Sequence, residues 1–185
     1  CVDSLKISVT KCLKFDASDV RSTIESDVKR YFCVSPGRQI VVAASTQLGE
    51  ESYVLEAFKN VRAKAENLLL VIAPRHPERF SEVERIAVRA GYRVVRRSEL
   101  KIDTEPLADV VLLDTIGELA QLYPIATVVF VGGSLVPKGG HNILEPIYFG
   151  HAVIFGSYIE HIREMVQLVL SSGGGVQIAN RHELR

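Results

Sequence analysis

The sequence predicts an α/β fold, namely a Rossmann-like, doubly wound parallel sheet. Its short apolar runs, such as residues 68–73, are hydrophobic throughout, as in strands that are buried on both faces. These runs alternate with segments of helical periodicity, and that alternation is typical of a parallel sheet covered by helices on both sides. Polar and glycine-rich segments follow the apolar runs, at the strand ends where such sheets bind ligands. We therefore expect a ligand site at one edge of the sheet.

The first 36 residues are predicted to form an entry segment rather than a domain. Residues 1–18 alternate loosely between apolar and polar, which indicates a short strand and a connection. Asp19 then precedes a regular apolar stripe, which predicts a helix with Asp19 near its cap. The stripe consists of Val20, Ile24, Val28 and Phe32, and residues 35–37 (Ser-Pro-Gly) end it.

From residue 37 onward the pattern alternates between strands and helices. The predicted strands are residues 39–44, 68–73, 92–96, 109–113, 126–131, 152–155 and 176–178. The predicted helices are residues 50–65, a segment from Pro77 to Gly91, residues 118–123, a helix that starts near Asn142, and a last helix after residue 155. We expect Val61, Ala90, Ile159, Ile162 and Leu170 to be among the residues that face inward.

Length and composition limit the classes of protein that fit. A chain of 185 residues forms one domain with a sizeable core. Lys+Arg and Asp+Glu are equal at 22 each, so no overall field attracts nucleic acid, and any bound anion must be held locally. The three cysteines lack the spacing of a disulfide framework or a metal site, which favours reduced thiols in a cytosolic compartment.

We also expect the chain to be a soluble fragment of a longer protein. No apolar run approaches the ~20 residues of a membrane span, and no signal peptide is visible. The chain begins at Cys1 without an initiator methionine, so a targeting or anchoring segment is expected upstream.

Residues 130–146 are the strongest candidate for a ligand-binding segment. They leave a β-branched run, pass through two glycine pairs, and reach Asn142 and Glu145 where a new apolar-periodic segment begins. Glycine has no Cβ and tolerates positive φ, so such a loop can approach another molecule closely. The following helix would direct free N–H groups at the same place, which suits an anion such as a phosphate. The loop therefore predicts half of a nucleotide-sugar site.

Other polar residues fall at predicted strand ends, each with a structural alternative. Arg75 could hold a phosphate or carboxylate in two hydrogen bonds, or it could pair with Glu78 or Glu82. Glu145 could accept hydrogen bonds from a ribose, or it could cap the helix together with Asn142. The two functions of Glu145 are compatible.

His141 and the glycine pattern carry weaker indications. His141 could donate a proton or bind a phosphate, although a lone histidine is more often structural. The glycines match neither the P-loop nor the dinucleotide fingerprint, which argues against ATP hydrolysis.

Two segments together closely resemble the Kdo transferases, which add 3-deoxy-D-manno-octulosonic acid (Kdo) to a lipid A precursor. They are residues 73–80, Ala-Pro-Arg-His-Pro-Glu-Arg-Phe, and residues 130–146, Phe-Val-Gly-Gly-Ser-Leu-Val-Pro-Lys-Gly-Gly-His-Asn-Ile-Leu-Glu-Pro. Residues 45–51 and 114–119 are further landmarks, with Gln47 at a position where the family often has histidine.

The resemblance implies a particular architecture and reaction. It implies the C-terminal, donor-binding half of a two-domain GT-B glycosyltransferase, with residues 1–36 as interdomain segment and entry helix and residues 37–185 as the Rossmann-like donor domain. The donor would be CMP-Kdo, and transfer would invert the anomeric centre without a metal ion or cofactor. The general base, a glutamate, would belong to an absent N-terminal acceptor domain, so this chain holds no catalytic residue and is expected to be inactive alone. The full-length protein would act at the cytoplasmic face of the bacterial inner membrane.

The resemblance also implies which residues bind the donor. At matching positions, CMP would be held by Pro74, Arg75, Ile116, Gly117, Glu118, Asn142, Ile143, Leu144 and Glu145. Further candidates are Ser45, Thr46, Ser134 and His141. Two alternatives stay open: another GT-B enzyme that uses a UDP-sugar, as transferase or epimerase, and a non-catalytic interaction domain that binds no nucleotide.

Overall fold

The computed structural model describes residues 28–65 and 67–184, except for the side chain of Lys29. Its strands are β1 (Gln39–Thr46), β2 (Leu68–Pro74), β3 (Val94–Arg96), β4 (Val110–Leu112), β5 (Val128–Val131), β6 (Val153–Phe155) and β7 (Gly175–Gln177). Its α-helices are α1 (Val28–Tyr31), α2 (Glu50–Arg62), α3 (Phe80–Arg89), α4 (Leu119–Leu122), α5 (Leu144–Tyr148) and α6 (Arg163–Ser171). The predicted strand at residues 1–18 and the predicted helix start at Asp19 lie outside the described residues.

The seven strands form one sheet in the order β3-β4-β2-β1-β5-β6-β7, and every pair is parallel. From β1 the chain moves to one side of the sheet through β2, and it later returns to the other side of β1 through β5. The order therefore reverses between β1 and β5, which makes the gap beyond their carboxyl ends the expected ligand crevice. The predicted doubly wound parallel sheet is confirmed.

Two apolar cores cover the faces of the sheet. On one face, α2 and α3 pack on the strands through Val54, Phe58 and Val83. On the other face, α1, α4, α5 and α6 pack on the alternate strand residues. The strands β2 and β4 are buried along their whole length, because helices lie on both of their sides.

Some predicted inward positions are wrong. Val61 is 38% exposed and Leu170 is 43% exposed, and Ala90 is also exposed. Val61 lines an apolar cavity between α2 and the strands β5 and β6, together with Val128 and Ile154, and this cavity leaves its side chain partly exposed within the described residues. Leu170 lies at the edge of the buried stripe of α6, which consists of Met165, Val166 and Val169.

A buried carboxylate ties α2 to the strand ends at the opposite edge of the sheet. Asp109 precedes β4, and its Oδ1 lies 2.8 Å from a guanidinium nitrogen of Arg62, while its Oδ2 accepts from the main-chain N–H of Arg93 at 2.9 Å. Burial by itself would raise the pKa of Asp109, but the hydrogen bonds from Arg93 and Arg62 outweigh it and hold the pKa below the ordinary 3.8. The ionised form of Asp109 therefore stabilises the fold.

In the part of the chain that the structure describes, no helix is long and apolar enough to cross a membrane.

Candidate functional site

A polar pocket of about 420 Å³ opens at the carboxyl ends of β1, β2 and β5, beside the point where the strand order reverses. This volume lies in the range of small-ligand sites. The pocket is lined by Ala44, Ser45, Arg75, Leu119, Tyr123, Val131, Gly140, His141, Asn142, Glu145, His161 and Ile162. Five of the predicted site residues thus come together in one place: Ser45, Arg75, His141, Asn142 and Glu145.

Ser45 contributes a strained section of main chain to this pocket. Its φ is 52°, in the left-handed region that non-glycine residues seldom adopt. It lies where the register between β1 and β2 shifts, between Ala44 and Thr46. Such strain persists only where the surroundings enforce it, and it is often found at functional sites.

Arg75 extends from the end of β2 without an acidic partner in the described structure. Its main-chain N–H donates to the carbonyl of Thr46 at 3.0 Å, which joins the ends of β1 and β2. Neither expected competitor pairs with Arg75: Glu78 is exposed and lies 3.7 Å from Nδ1 of His76, and Glu82 pairs with Arg79 at 3.1 Å. The guanidinium of Arg75 is therefore available for an anionic ligand.

Asn142 and Glu145 form the pair that their spacing predicts. The Asn142 Oδ1 accepts from the main-chain N–H of Leu144 at 3.1 Å, and its Nδ2 donates to Glu145 Oε1 at 2.9 Å. The N-cap residue of α5 is Ile143, so Asn142 closes a turn one residue before the cap instead of forming the predicted capping box, and the glutamate accepts from the asparagine side chain. The helix that they start, α5, has only five residues, so its dipole adds little to anion binding.

Several predicted residues do not line the pocket with their side chains. Pro74, Thr46, Ser134, Ile143 and Leu144 are buried. The Thr46 hydroxyl donates to Glu51 at 3.0 Å, and the Ser134 hydroxyl donates to the carbonyl of Val131 at 2.6 Å. Ile143 and Leu144 belong to the apolar core beneath the loop. These five residues therefore support the pocket walls.

The segment 116–118 lies beside the pocket rather than in it. Ile116 is 84% exposed, and Gly117 is in the left-handed region with φ of 86°. Glu118 accepts from Arg97 at 2.9 Å and from the Thr115 hydroxyl at 2.6 Å. Arg97 itself is buried, and its guanidinium stacks 3.5 Å from the ring centre of Tyr31. Arg97 thus fixes Glu118 at the end of the loop that follows β4.

The main chain from Gly133 to Leu135 binds an internal carboxylate, which corrects the expectation that the N–H groups of this glycine-rich loop are free for a ligand. The N–H groups of Gly133, Ser134 and Leu135 all donate to the buried carboxylate of Glu50, at 2.8, 3.1 and 2.9 Å. Three successive N–H groups form an anion-binding concavity, and here Glu50 fills it. A ligand phosphate must therefore be held by other groups of the pocket.

The second glycine pair has no side chains of its own and so leaves room for two other side chains in the pocket wall. Gly139 and Gly140 have φ of 80°, and a Cβ on Gly140 would lie 2.7 Å from Ile162 Cδ1. The ring of His161 packs against Gly139 in the same way, and its main-chain N–H donates to the Gly139 carbonyl at 2.9 Å. Gly139 and Gly140 therefore allow His161 and Ile162 to close one side of the pocket.

Sequence reasoning missed three residues of this site. Glu50 stands in the landmark segment 45–51, but nothing in its spacing indicates that it reaches the loop after β5. His161 and Tyr123 lie in segments whose pattern predicts helices, so no local signal indicates their contacts with the pocket. Burial and the nearby charge of Glu145 raise the pKa of Tyr123, which keeps its hydroxyl protonated as a hydrogen-bond donor.

Within residues 28–65 and 67–184, no three His, Cys, Asp or Glu side chains are grouped as ligands of a metal ion. The charged and titratable groups that line the pocket are Arg75, His141, His161, Glu145 and Tyr123. The pocket therefore offers a cationic side chain that can bind an anionic group of a ligand and a carboxylate that can accept hydrogen bonds from hydroxyl groups.

The doubly wound sheet and the polar pocket at its reversal point define a Rossmann-like domain of the ligand-binding class. Among solved structures, the chain resembles the C-terminal CMP-Kdo binding domain of WaaA from Acinetobacter baumannii, with a TM-score of 0.72, 33% identity, and coverage of 80% of this chain and 77% of that one. It is 34% identical over 173 residues to the 3-deoxy-D-manno-octulosonic acid transferase of Haemophilus influenzae, covering 94% of this chain and 40% of the relative.

A bifunctional glycosyltransferase/methyltransferase of Fusobacterium nucleatum is 35% identical over 173 residues, covering 92% of this chain and 26% of the relative. No protein-family model matches the chain. The chain belongs to the Kdo transferase family, and it corresponds to the Rossmann-like C-terminal half of that GT-B fold. It spans between about a quarter and two fifths of the length of these two curated relatives.

Proposed function

We propose that this chain is the donor-binding domain of a glycosyltransferase that transfers Kdo from CMP-Kdo to a lipid A precursor in lipopolysaccharide biosynthesis. One observation carries the proposal. Arg75, Asn142 and Glu145 were expected from the family motifs to bind CMP, and they converge on one pocket at the reversal point of the sheet. The solved relative with the same fold is described as a CMP-Kdo binding domain.

The pocket offers a suitable group for each polar part of the donor. The free guanidinium of Arg75 would pair with the phosphate of CMP through charge-assisted hydrogen bonds. Glu145 uses Oε1 to accept from Asn142, which leaves Oε2 to accept from a ribose hydroxyl. Charge develops on the departing CMP phosphate during transfer, so Arg75 would also stabilise the transition state.

The remaining parts of the proposal concern the whole protein. Residues 1–36 would connect an N-terminal acceptor domain to the donor domain at residues 37–185. That acceptor domain would supply a glutamate general base for the acceptor hydroxyl, and transfer would be inverting and independent of metal ions. The full-length protein would work at the cytoplasmic face of the bacterial inner membrane, and this chain alone would bind the donor without turning it over.

Calorimetric titration of the chain with CMP, UMP and UDP tests the proposal. We expect CMP to bind most tightly. Tighter binding of UDP would instead indicate an enzyme that uses a UDP-sugar, and no binding of any of the three would indicate a non-catalytic interaction domain.

Substitutions then test the assignment of residues. Arg75→Ala and Glu145→Ala should each weaken CMP binding more than tenfold, since a hydrogen bond to a charged group contributes about 1.5–3 kcal/mol. Arg89→Ala is the control, because Arg89 is exposed on α3 and does not line the pocket. In the full-length protein, the first two variants should lower Kdo transfer more than tenfold while the fold stays intact. Unchanged rates in both would remove these residues from the site.

A further inference from the structure

Glu50 makes a connection across the ligand crevice that the proposed function does not use. It is the first residue of α2 and is fully buried. Its carboxylate accepts four main-chain hydrogen bonds: from Gln47 on its own side of the crevice, and from Gly133, Ser134 and Leu135 on the other. It therefore joins the turn after β1 to the loop after β5.

The loop has a shape that fits this carboxylate closely. A Cβ on Gly132 would lie 2.7 Å from Glu50 Oε2 and 2.6 Å from the main-chain oxygen of Ser45. Only glycine at position 132 lets the loop come near enough for the three following N–H groups to reach the carboxylate. Burial raises the pKa of Glu50, and the four N–H groups act in the opposite direction by favouring the ionised form.

Both segments that Glu50 holds are in contact with His141 of the pocket. The side-chain Nε2 of Gln47 lies 3.0 Å from Nε2 of His141. On the other side, a Cβ on Gly133 would lie 2.9 Å from the His141 ring, so the ring packs directly on that glycine. With the Gln47 amide in this orientation, it donates to Nε2 of His141, which places the ring proton on Nδ1.

We infer that Glu50 is a positioning residue: it holds Gln47 and Gly133 so that the His141 ring stands in the donor pocket in one orientation and one tautomer. Its relevance to donor binding depends on the proposed function of the pocket, but its effect on His141 does not. Glu50 occupies the anion-binding concavity permanently, so the loop is already formed before a nucleotide enters. Such pre-organisation raises affinity by lowering the ordering cost of binding.

Glu50→Gln tests the inference, because glutamine has nearly the same shape but places an NH₂ group against N–H donors. Far-UV circular dichroism establishes that the variant is folded, and ¹⁵N NMR of the imidazole reports which nitrogen of His141 carries the proton. We expect the wild-type Nδ1–H form to give way to a mixture of tautomers, and CMP to bind at least tenfold more weakly. Glu84→Gln is the matched control, because Glu84 pairs with Arg96 and does not line the pocket.

A second variant keeps the inference testable if Glu50→Gln fails to fold. Gln47→Ala retains the main-chain N–H that Glu50 binds and removes only the amide next to His141, so it should give the same change in tautomer. The inference would be overturned if the deciding variant shows an unchanged His141 spectrum and a CMP affinity within twofold of the wild type. The deciding variant is Glu50→Gln if it folds, and Gln47→Ala if it does not. If the wild type binds no CMP at all, the proposed function fails, while the tautomer of His141 in the ligand-free protein still decides the role of Glu50.

Discussion

The packing of Gly132 gives a sharp test of how the crevice is built. Gly132 follows β5 directly, and its N–H donates to the carbonyl of Ala44 in β1 at 2.8 Å. A Cβ at this position would lie 2.6 Å from the oxygen of Ser45 and 2.7 Å from Thr46 Cα. These are main-chain atoms of β1, which cannot rotate away. Gly132→Ala must therefore push apart the two strands on either side of the crevice.

The expected cost of Gly132→Ala is about 3 kcal/mol. Forcing a methyl group into a filled space costs roughly 1–3 kcal/mol. The same methyl group would lie 2.7 Å from Glu50 Oε2, so weakening one of the hydrogen bonds to this carboxylate adds about 1 kcal/mol. Since each kcal/mol lowers the Tm of a domain of this size by about 2–4 °C, Tm should fall by about 6–12 °C.

Urea unfolding followed by far-UV circular dichroism measures this loss, because the chain has no tryptophan for fluorescence. Gly174→Ala is the matched control. Gly174 has no positive φ either. Its Cβ would lie 3.3 Å from the rotatable hydroxyl of Ser172, while the Val169 carbonyl oxygen and Ile147 Cδ1 would lie at ordinary contact distances of 3.7 and 3.8 Å. The control should change the free energy of unfolding by less than about 1 kcal/mol. Equal losses in the two variants would refute the close approach of β1 and the glycine loop.

Three further predictions concern charged groups outside the pocket. Glu51→Gln should lower the free energy of unfolding by about 3–5 kcal/mol, because it breaks a buried ion pair in which both carboxylate oxygens bind Arg79. The control Glu84→Gln should lower it by less than about 1 kcal/mol, and urea titrations compare the two variants. Asp109→Asn should destabilise the chain above pH 4, and the difference in Tm from wild type should vanish as the pH falls below the lowered pKa of Asp109. Melting curves between pH 2 and pH 7 measure this, and a difference in Tm that stays constant would contradict it. Asp103→Asn should change Tm by less than about 2 °C, because the pair of Asp103 with Arg30 is exposed and asparagine tolerates the left-handed φ of 56° at this position. Melting curves with added salt should show a still smaller change.

The fold was largely predictable from the sequence because strand burial dominates the local pattern. All seven strands from residue 37 onward lie where apolar runs predict them, with differences of one or two residues at their ends. The parallel direction of the strands is expected from the same runs, since strands that are apolar throughout are typical of a sheet with helices on both faces. The exceptions are the two edge strands: β3 is half-buried along its length, and Val176 of β7 is 57% exposed.

The segment before α6 shows where sequence periodicity failed. Ile159 and Ile162 have helical spacing with the residues that follow, yet α6 begins only at Arg163. The preceding residues are tied to the glycine loop instead: the N–H of Tyr158 donates to the Ser134 carbonyl at 2.9 Å, and that of His161 donates to Gly139. These long-range hydrogen bonds override the local preference for a helix, and a periodicity argument has no means to detect them.

For the candidate site, the sequence predicted where the polar residues lie more reliably than which groups they contact. Arg75, Asn142 and Glu145 line one pocket, as expected of polar residues at the carboxyl ends of strands in a parallel sheet, and their binding of a donor stays a prediction. Glu50 was not found, because a carboxylate and a phosphate suit the same concavity of N–H groups equally well. Which anion fills it depends on the path of α2, and that path is a property of the whole fold.

The glycines of residues 130–146 show why the location of the site was predictable and its internal contacts were not. Each one faces a protein group: Gly132 faces Glu50 and the turn after β1, Gly133 faces His141, Gly139 faces His161, and Gly140 faces Ile162. Close approach was therefore the right expectation for the chain itself, since its own side chains and main chain lie against these glycines, and the approach of a ligand stays a prediction. Because the loop is packed on both sides, under the proposed function we expect selectivity for a donor to come from side chains at its rim, above all Arg75, His141 and Glu145. A substitution at any of the four glycines should consequently disturb donor binding indirectly, by moving the side chain that the glycine admits.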